Sequence, residues 1–192
     1  MPTIEEKQTA TPEGVALSVS QLRDRIEKRR QAAWQPEPGA TAHERKKHWQ
    51  EVGKNLAEKL TGGEYIGDAH LPQLSDDRAM ISLGREFLKA ARRGNPQMIG
   101  AFIEEGFPVN YQSPQTGQSA LHITAATKAR MALRVLVGSE RCDYLLRDHQ
   151  GRLASELGYL FGEDRAVTRW LRIHERRQAK PQGIKLTLRS QI

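Results

Sequence analysis

The chain has 192 residues, of which 38% are hydrophobic, with 16 glycines besides, so one packed domain or a repeat array with an extension is within reach. Residues 1–14 are polar, with no apolar core of the signal-peptide kind, and no apolar run approaches a membrane span, so a cytoplasmic protein is the expectation. One cysteine, Cys142, excludes an intramolecular disulfide, and the net charge of +7 arises entirely from residue 165 onward, where eight Lys and Arg face the single acid Glu175.

In chain order, residues 1–14 read as a disordered N-terminus and residues 15–61 as a helical extension. Ser18 with Gln21 fits a capping box, and Leu22, Ile26 and Ala33 space out a thin apolar stripe among basic residues. Trp34 is followed by Gln35, Pro36, Glu37, Pro38 and Gly39, which must break that helix. A second helix is expected to start near Thr41, with Glu44 as its capping partner and Trp49, Val52, Leu56 and Leu60 on its apolar side. Residues 62–75 have no period and read as a linker; Ser75, backed by Asp76 and Asp77, opens the next helix.

From residue 76 to 176 the pattern is helix, turn, helix, long loop, three times over, with turns at Gly94-Asn95-Pro96, around Lys128 and at Gly162. Gly117 and Gly151 lie 34 residues apart, and the same step relates Phe102, Leu136 and Trp170; Ile99, Leu133 and Val167; and Ile103, Val137 and Leu171. Such a period is the signature of stacked units that bury their apolar faces against one another. It predicts an all-α fold with Trp170 in the inter-unit core and Ile173 on the same apolar side. Residues 177–192 form a basic C-terminal tail.

Gly117, Ser119, Ala120, Leu121, His122, Ile123, Thr124 and Ala125 resemble the opening of an ankyrin repeat, glycine, any residue, then Thr-Pro-Leu-His, an apolar residue and two alanines. Gly106-Phe107-Pro108-Val109-Asn110 is similar to the family's repeat ending, and Asp148-His149-Gln150-Gly151 to its finger. The third unit is degenerate, with Leu153-Ala154-Ser155-Glu156 in place of Thr-Pro-Leu-His. The resemblance spans about residues 84–175. It implies a short solenoid of about three antiparallel helix pairs, whose finger tips and first-helix ends form a concave binding surface.

Carried over position by position, the resemblance nominates Gln115, Thr116, Gln118, His149, Gln150 and Arg152 on the fingers. It nominates Arg92, Arg93, Ala126, Thr127, Leu160 and Phe161 at the helix ends. Leu160 and Phe161 are either interface anchors or residues that cover the end of the array or meet the tail. The family's histidine, here His122, is a structural residue partnered by Ser119.

Arg165, Arg169, Arg172 and Arg176 recur at steps of four, three and four, so they line one face of the last helix, opposite Val167, Trp170 and Leu171. That face is a solvated one, or it docks an acidic protein, a membrane surface or nucleic-acid phosphates. His43 and His48 are five apart, which does not place two metal ligands on one helix face. Cys142 is expected to be buried or inert. No catalytic constellation, cofactor loop or metal cluster is apparent. The expected function is a non-catalytic protein–protein interaction module, an adaptor or inhibitor. Two alternatives stand beside it: a nucleic-acid-associated protein using the arginine face, and a bacterial secreted effector or toxin-immunity protein, the last from family habit alone.

Overall fold

The computed structural model describes residues 19–61 and 77–187. The expectations for residues 1–14, Ser18, the linker over 62–75, Ser75, the side chain of Leu60 and the last five residues lie outside the described residues. Among the described residues the fold is all-helical, with one isolated bridge between Gln112 and Ser119 and no strand.

Helix α1 (Val19–Ala32) buries Leu22 and Ile26, and the proline-rich segment after Trp34 ends it. Helix α2 (Ala42–Thr61) starts at the expected capping box, in which Thr41 N donates to Glu44 Oε2 at 2.7 Å and Glu44 N donates to Thr41 Oγ1 at 3.2 Å. Three helix pairs follow: α3 (Asp77–Arg93) with α4 (Pro96–Glu104), α5 (Ala120–Ala126) with α6 (Arg130–Gly138), and α7 (Ala154–Leu160) with α8 (Arg165–Ala179). First helices pack side by side, α3 on α5 and α5 on α7, and α4 packs on α6. Helix α1 lies on α4, while α2 lies across α4 and α6.

The local geometry recurs with the sequence step. Left-handed backbone occurs at Gly94 (φ 65°) and Lys128 (φ 57°), at Gly106 (φ 84°) and Glu140 (φ 56°), and at Gly117 (φ 68°) and Gly151 (φ 73°). At the first of these pairs the following amide closes the helix, Asn95 N onto Ala90 O and Ala129 N onto Thr124 O, both at 3.0 Å. Lys128 therefore does a glycine's conformational work, at the steric cost a Cβ brings there.

The third turn departs from this pattern. Its left-handed residue is Glu163 (φ 47°), not Gly162. The extra residue rotates α8 by one position relative to its predecessors. The buried stripe of α8 is consequently Thr168, Leu171, Glu175 and Ala179, and the counterpart of buried Phe102 and Leu136 is Leu171. Trp170, expected in the core at the 34-residue step, is only half-buried, 4.0 Å from the His174 ring and 6.2 Å from that of Tyr144. Ile173, expected on the apolar side, is 42% exposed.

An aromatic cluster fills the core at the first pair. Phe87, Phe102 and Phe107 are fully buried, with ring centroids 5.1 to 5.4 Å apart. Two devices hold the N-terminal helices on the outer side of the pairs. Gly53 of α2 meets Gly138 of α6 so closely that a Cβ on residue 138 would lie 2.5 Å from the Gly53 Cα. On α1, Arg25 reaches buried Glu105 at 2.8 Å, and Arg29 bridges Glu105 and Glu104. Arg23 pairs with Glu86 at 2.6 Å.

Candidate functional site

The loops between pairs, residues 105–119 and 139–153, are built around a few committed polar groups. Asp148 is buried, and its Oδ1 accepts the amides of Gln150 (3.0 Å) and Arg152 (2.9 Å). Its Oδ2 takes the Arg152 guanidinium at 2.6 and 2.9 Å. Burial alone would raise the Asp148 carboxyl, yet the hydrogen bonds from Arg152 hold it below the usual carboxylate range. The turn is thereby fixed from beneath while His149 and Gln150 stay exposed at its tip.

His122 ties this loop to the helix row. Its side chain is buried, Nδ1 accepts the Ser119 amide at 3.3 Å, and Ser119 Oγ lies 2.9 Å from the same nitrogen. An amide can only donate, so Nδ1 is the acceptor and Nε2 carries the proton, donated to the Arg152 carbonyl at 3.2 Å. Burial keeps this imidazole below its ordinary pKa. Both ring nitrogens are thus committed, Nδ1 to capping its own helix and Nε2 to joining that unit to the next loop.

Neighbouring loops are bonded to each other. Gln112 Nε2 donates to Gly117 O (2.5 Å) and to Arg147 O (2.9 Å), and His149 N donates to Thr116 O at 2.9 Å. This brings the nominated tips together: Gln115 and Thr116 are exposed beside His149 and Gln150, and Gln118 is half-buried, its amide 3.3 Å from Thr116 Oγ1. Arg152 is half-buried, with its charge already engaged by Asp148 and its guanidinium 5.6 Å from the Phe161 ring.

Packing of α3, α5 and α7 side by side places the nominated helix ends in one row. Arg92 and Arg93 are exposed at one end of it, Ala126 is half-buried, and Thr127 is exposed with its hydroxyl donated back to Ile123 O at 2.9 Å. At the other end Leu160 is 39% and Phe161 59% exposed. Of the two expectations for Leu160 and Phe161, the described residues leave both side chains open to solvent rather than covered by the tail.

Other nominated groups fall elsewhere. Arg165, Arg169 and Arg176 are exposed, with no carboxylate in ion-pair reach among the described residues, whereas Arg172 is half-buried 6.0 Å from the Tyr159 ring. His48 lies between Trp34 (4.0 Å, tilted) and Trp49 (4.8 Å, edge-on), while His43 is exposed. Cys142 is buried and donates to Leu136 O at 3.3 Å; burial, with Asp143 adding to it, pushes its thiol up to about 12.

One feature had no sequence signal. A groove of about 350 Å³ opens between α1, α3 and α4, lined by Arg23, Glu27, Glu86, Lys89, Arg93 and Met98 among others. It exists because α1 docks on residues 60 to 80 positions away, a pairing that no local pattern announces. No protein-family profile, curated protein or solved structure matches the chain.

Proposed function

We propose that this chain is a short ankyrin-type array with a helical N-terminal extension. Its role is that of a non-catalytic docking module, which presents its loop tips and first-helix ends to another protein. Recurrence of left-handed residues at a constant step, in loops that bond to one another, supports the repeat reading. The observation that carries the docking reading is the contrast within the loops. Asp148, His122 and Gln112 are fixed beneath, while Gln115, Thr116, His149 and Gln150 project at the tips.

Surfaces held this way lose little freedom on binding, so contact energy is not spent on ordering the loops. The strip of helix ends runs from Arg92 and Arg93 through Thr127 to Leu160 and Phe161, a gradient from basic to apolar. Exposed aromatic and arginine side chains are the usual anchors of protein interfaces. The test is affinity capture with intact protein and with a variant in which Arg92, Arg93, Leu160 and Phe161 are all serine. The variant is expected to keep its helical circular dichroism and lose the captured partner. Undiminished capture would move the interface off this strip.

A further inference from the structure

The geometry points to a second docking surface at the C-terminal end of the helix rows. There α7 and α8 present Tyr159 and Ile173 among Arg165, Arg169, Arg172 and Arg176, and the occupant is an acidic amphipathic helix of a partner protein. This surface uses different residues from the strip of helix ends and stands whether or not that strip binds.

Its position follows from how α8 is seated. One flank of the helix carries Trp170 and His174, which meet Tyr144 from the preceding loop, His174 stacked on it at 5.0 Å and Trp170 edge-on at 6.2 Å. The buried stripe of Thr168, Leu171 and Glu175 lies between the flanks, with α7 packed on the helix. The arginines occupy the other flank, turned away from the preceding pair, and Arg172 meets Tyr159 there. Ile173 sits four residues after Arg169 and three before Arg176, inside the basic face.

Two properties of this face argue against simple solvation. First, the charge at the head of this face works against the helix that bears it. Arg165 occupies the first turn of α8, where no acidic residue offsets it and where the helix dipole disfavours a cation. The arginines then repeat at the spacings at which like charges repel. Asp164, the N-cap, is already paired with Arg130 at 2.6 Å. Local rules broken without internal compensation are expected at functional surfaces.

Second, the same end carries the apolar exposure. Every exposed large hydrophobic among the described residues lies in this final part of the chain: Tyr159, Leu160, Phe161, Ile173 and Ile184. A phosphate backbone would use the arginines but gains nothing from Ile173 or Tyr159. A helix whose carboxylates flank an apolar stripe uses both. Arg165 and Arg176 are eleven residues apart, about 16 Å along the axis, so roughly three turns of a partner helix would match them.

The probe is a fluorescent amphipathic peptide of about 18 residues, with glutamates flanking a Leu and Phe stripe, long enough to span that distance. Its anisotropy is followed at physiological salt against the full chain, beside a glutamine-for-glutamate version of the peptide and a labelled DNA duplex. The acidic peptide is expected to bind and its glutamine version to bind about tenfold more weakly, because opposed charge patterns set partner choice. Arg165→Gln/Arg169→Gln/Arg176→Gln should weaken the acidic peptide by about tenfold, and Ile173→Gln by a smaller factor, with circular dichroism unchanged.

The serine variant of Arg92, Arg93, Leu160 and Phe161 should still bind this peptide. If that variant loses the peptide while the triple glutamine variant keeps it, the peptide lies on the strip of helix ends and the proposal falls, leaving the docking reading intact. Duplex binding tighter than peptide binding, or no peptide binding by intact protein, also overturns it.

Discussion

The two ends of this molecule handle arginine in opposite ways. At the N-terminal end, Arg23, Arg25 and Arg29 of α1 each find a carboxylate on α3 or at the end of α4, and Glu105, the C-cap of α4, is buried between two of them. At the C-terminal end, Arg165, Arg169 and Arg176 of α8 find none among the described residues. The first set is structural, since charge there fixes where α1 lies. The second makes no ion pair among the described residues, and its charge faces solvent. A count of basic residues would not distinguish the two, because both helices are arginine-rich in sequence.

The largest expected effect is on the paired end. Arg25→Ala with Arg29→Ala strips buried Glu105 of its partners, and an uncompensated buried charge costs about 3–5 kcal/mol. Urea unfolding should show that loss, or limited proteolysis should show α1 released. The matching change at the other end, Arg165, Arg169 and Arg176 to Gln, should leave stability within about 0.5 kcal/mol, as for ordinary surface substitutions. Equal losses at both ends would erase the distinction.

The rotation of α8 supplies a second contrast. Leu171→Ala is expected to cost about 2–5 kcal/mol, because it empties a fully buried site. Trp170→Ala, at a half-buried position, should cost clearly less despite the larger side chain. A tryptophan change costing more than the leucine change would restore the 34-residue register to the last helix.

Gly138→Ala comes next. Its new Cβ would press on the Gly53 backbone, and overpacking of this kind costs about 1–3 kcal/mol. The measurable sign is faster proteolysis within α2, because that helix must back away from α6.

A smaller, pH-dependent effect is expected at Glu175. Burial, reinforced by the nearby charge of Glu156, raises this carboxyl above the ordinary glutamate value of 4.5, although Ser155 donates to it at 2.8 and 3.1 Å. The folded state therefore binds more protons here than the unfolded state does. Stability from this group is fully present below 4.5 and is lost as pH rises through the raised value. Relative to Glu175→Gln, the native protein should lose stability from pH 4.5 upward in urea titrations. A constant difference between the two across that range would contradict the sign.

Much of the helical content was legible because it rests on local signals. Thr41 with Glu44, the break after Trp34, and the turns at Gly94 and Lys128 are short-range chemistry, and the structure places them where the sequence does. The one-residue shift at Glu163 was not legible, since a glycine at the periodic position, Gly162, masked it. Gly162 is small for another reason: it lies against the Ala125 carbonyl with no room for a Cβ. Nor could the sequence show that α1 and α2 fold back on the outer helices. That depends on pairings such as Arg29 with Glu105 and Gly53 with Gly138, which only three dimensions bring together. Of the nominated surface residues, most of the tips and helix ends are exposed, whereas Gln118 and Ala126 are half-buried and Arg152 is engaged by Asp148.

Site-resolved amide hydrogen exchange, on the free chain and on the chain with its captured protein partner, tests the docking account most directly. The account predicts that the hydrogen-bonded loop amides of Gly117, His149, Gln150 and Arg152 are protected before any partner is added. It predicts new protection at the loop tips and around Leu160 and Phe161 once the partner is bound. Unfolded-like exchange at those loop amides in the free chain, or new protection confined to α1 and α2, would contradict it.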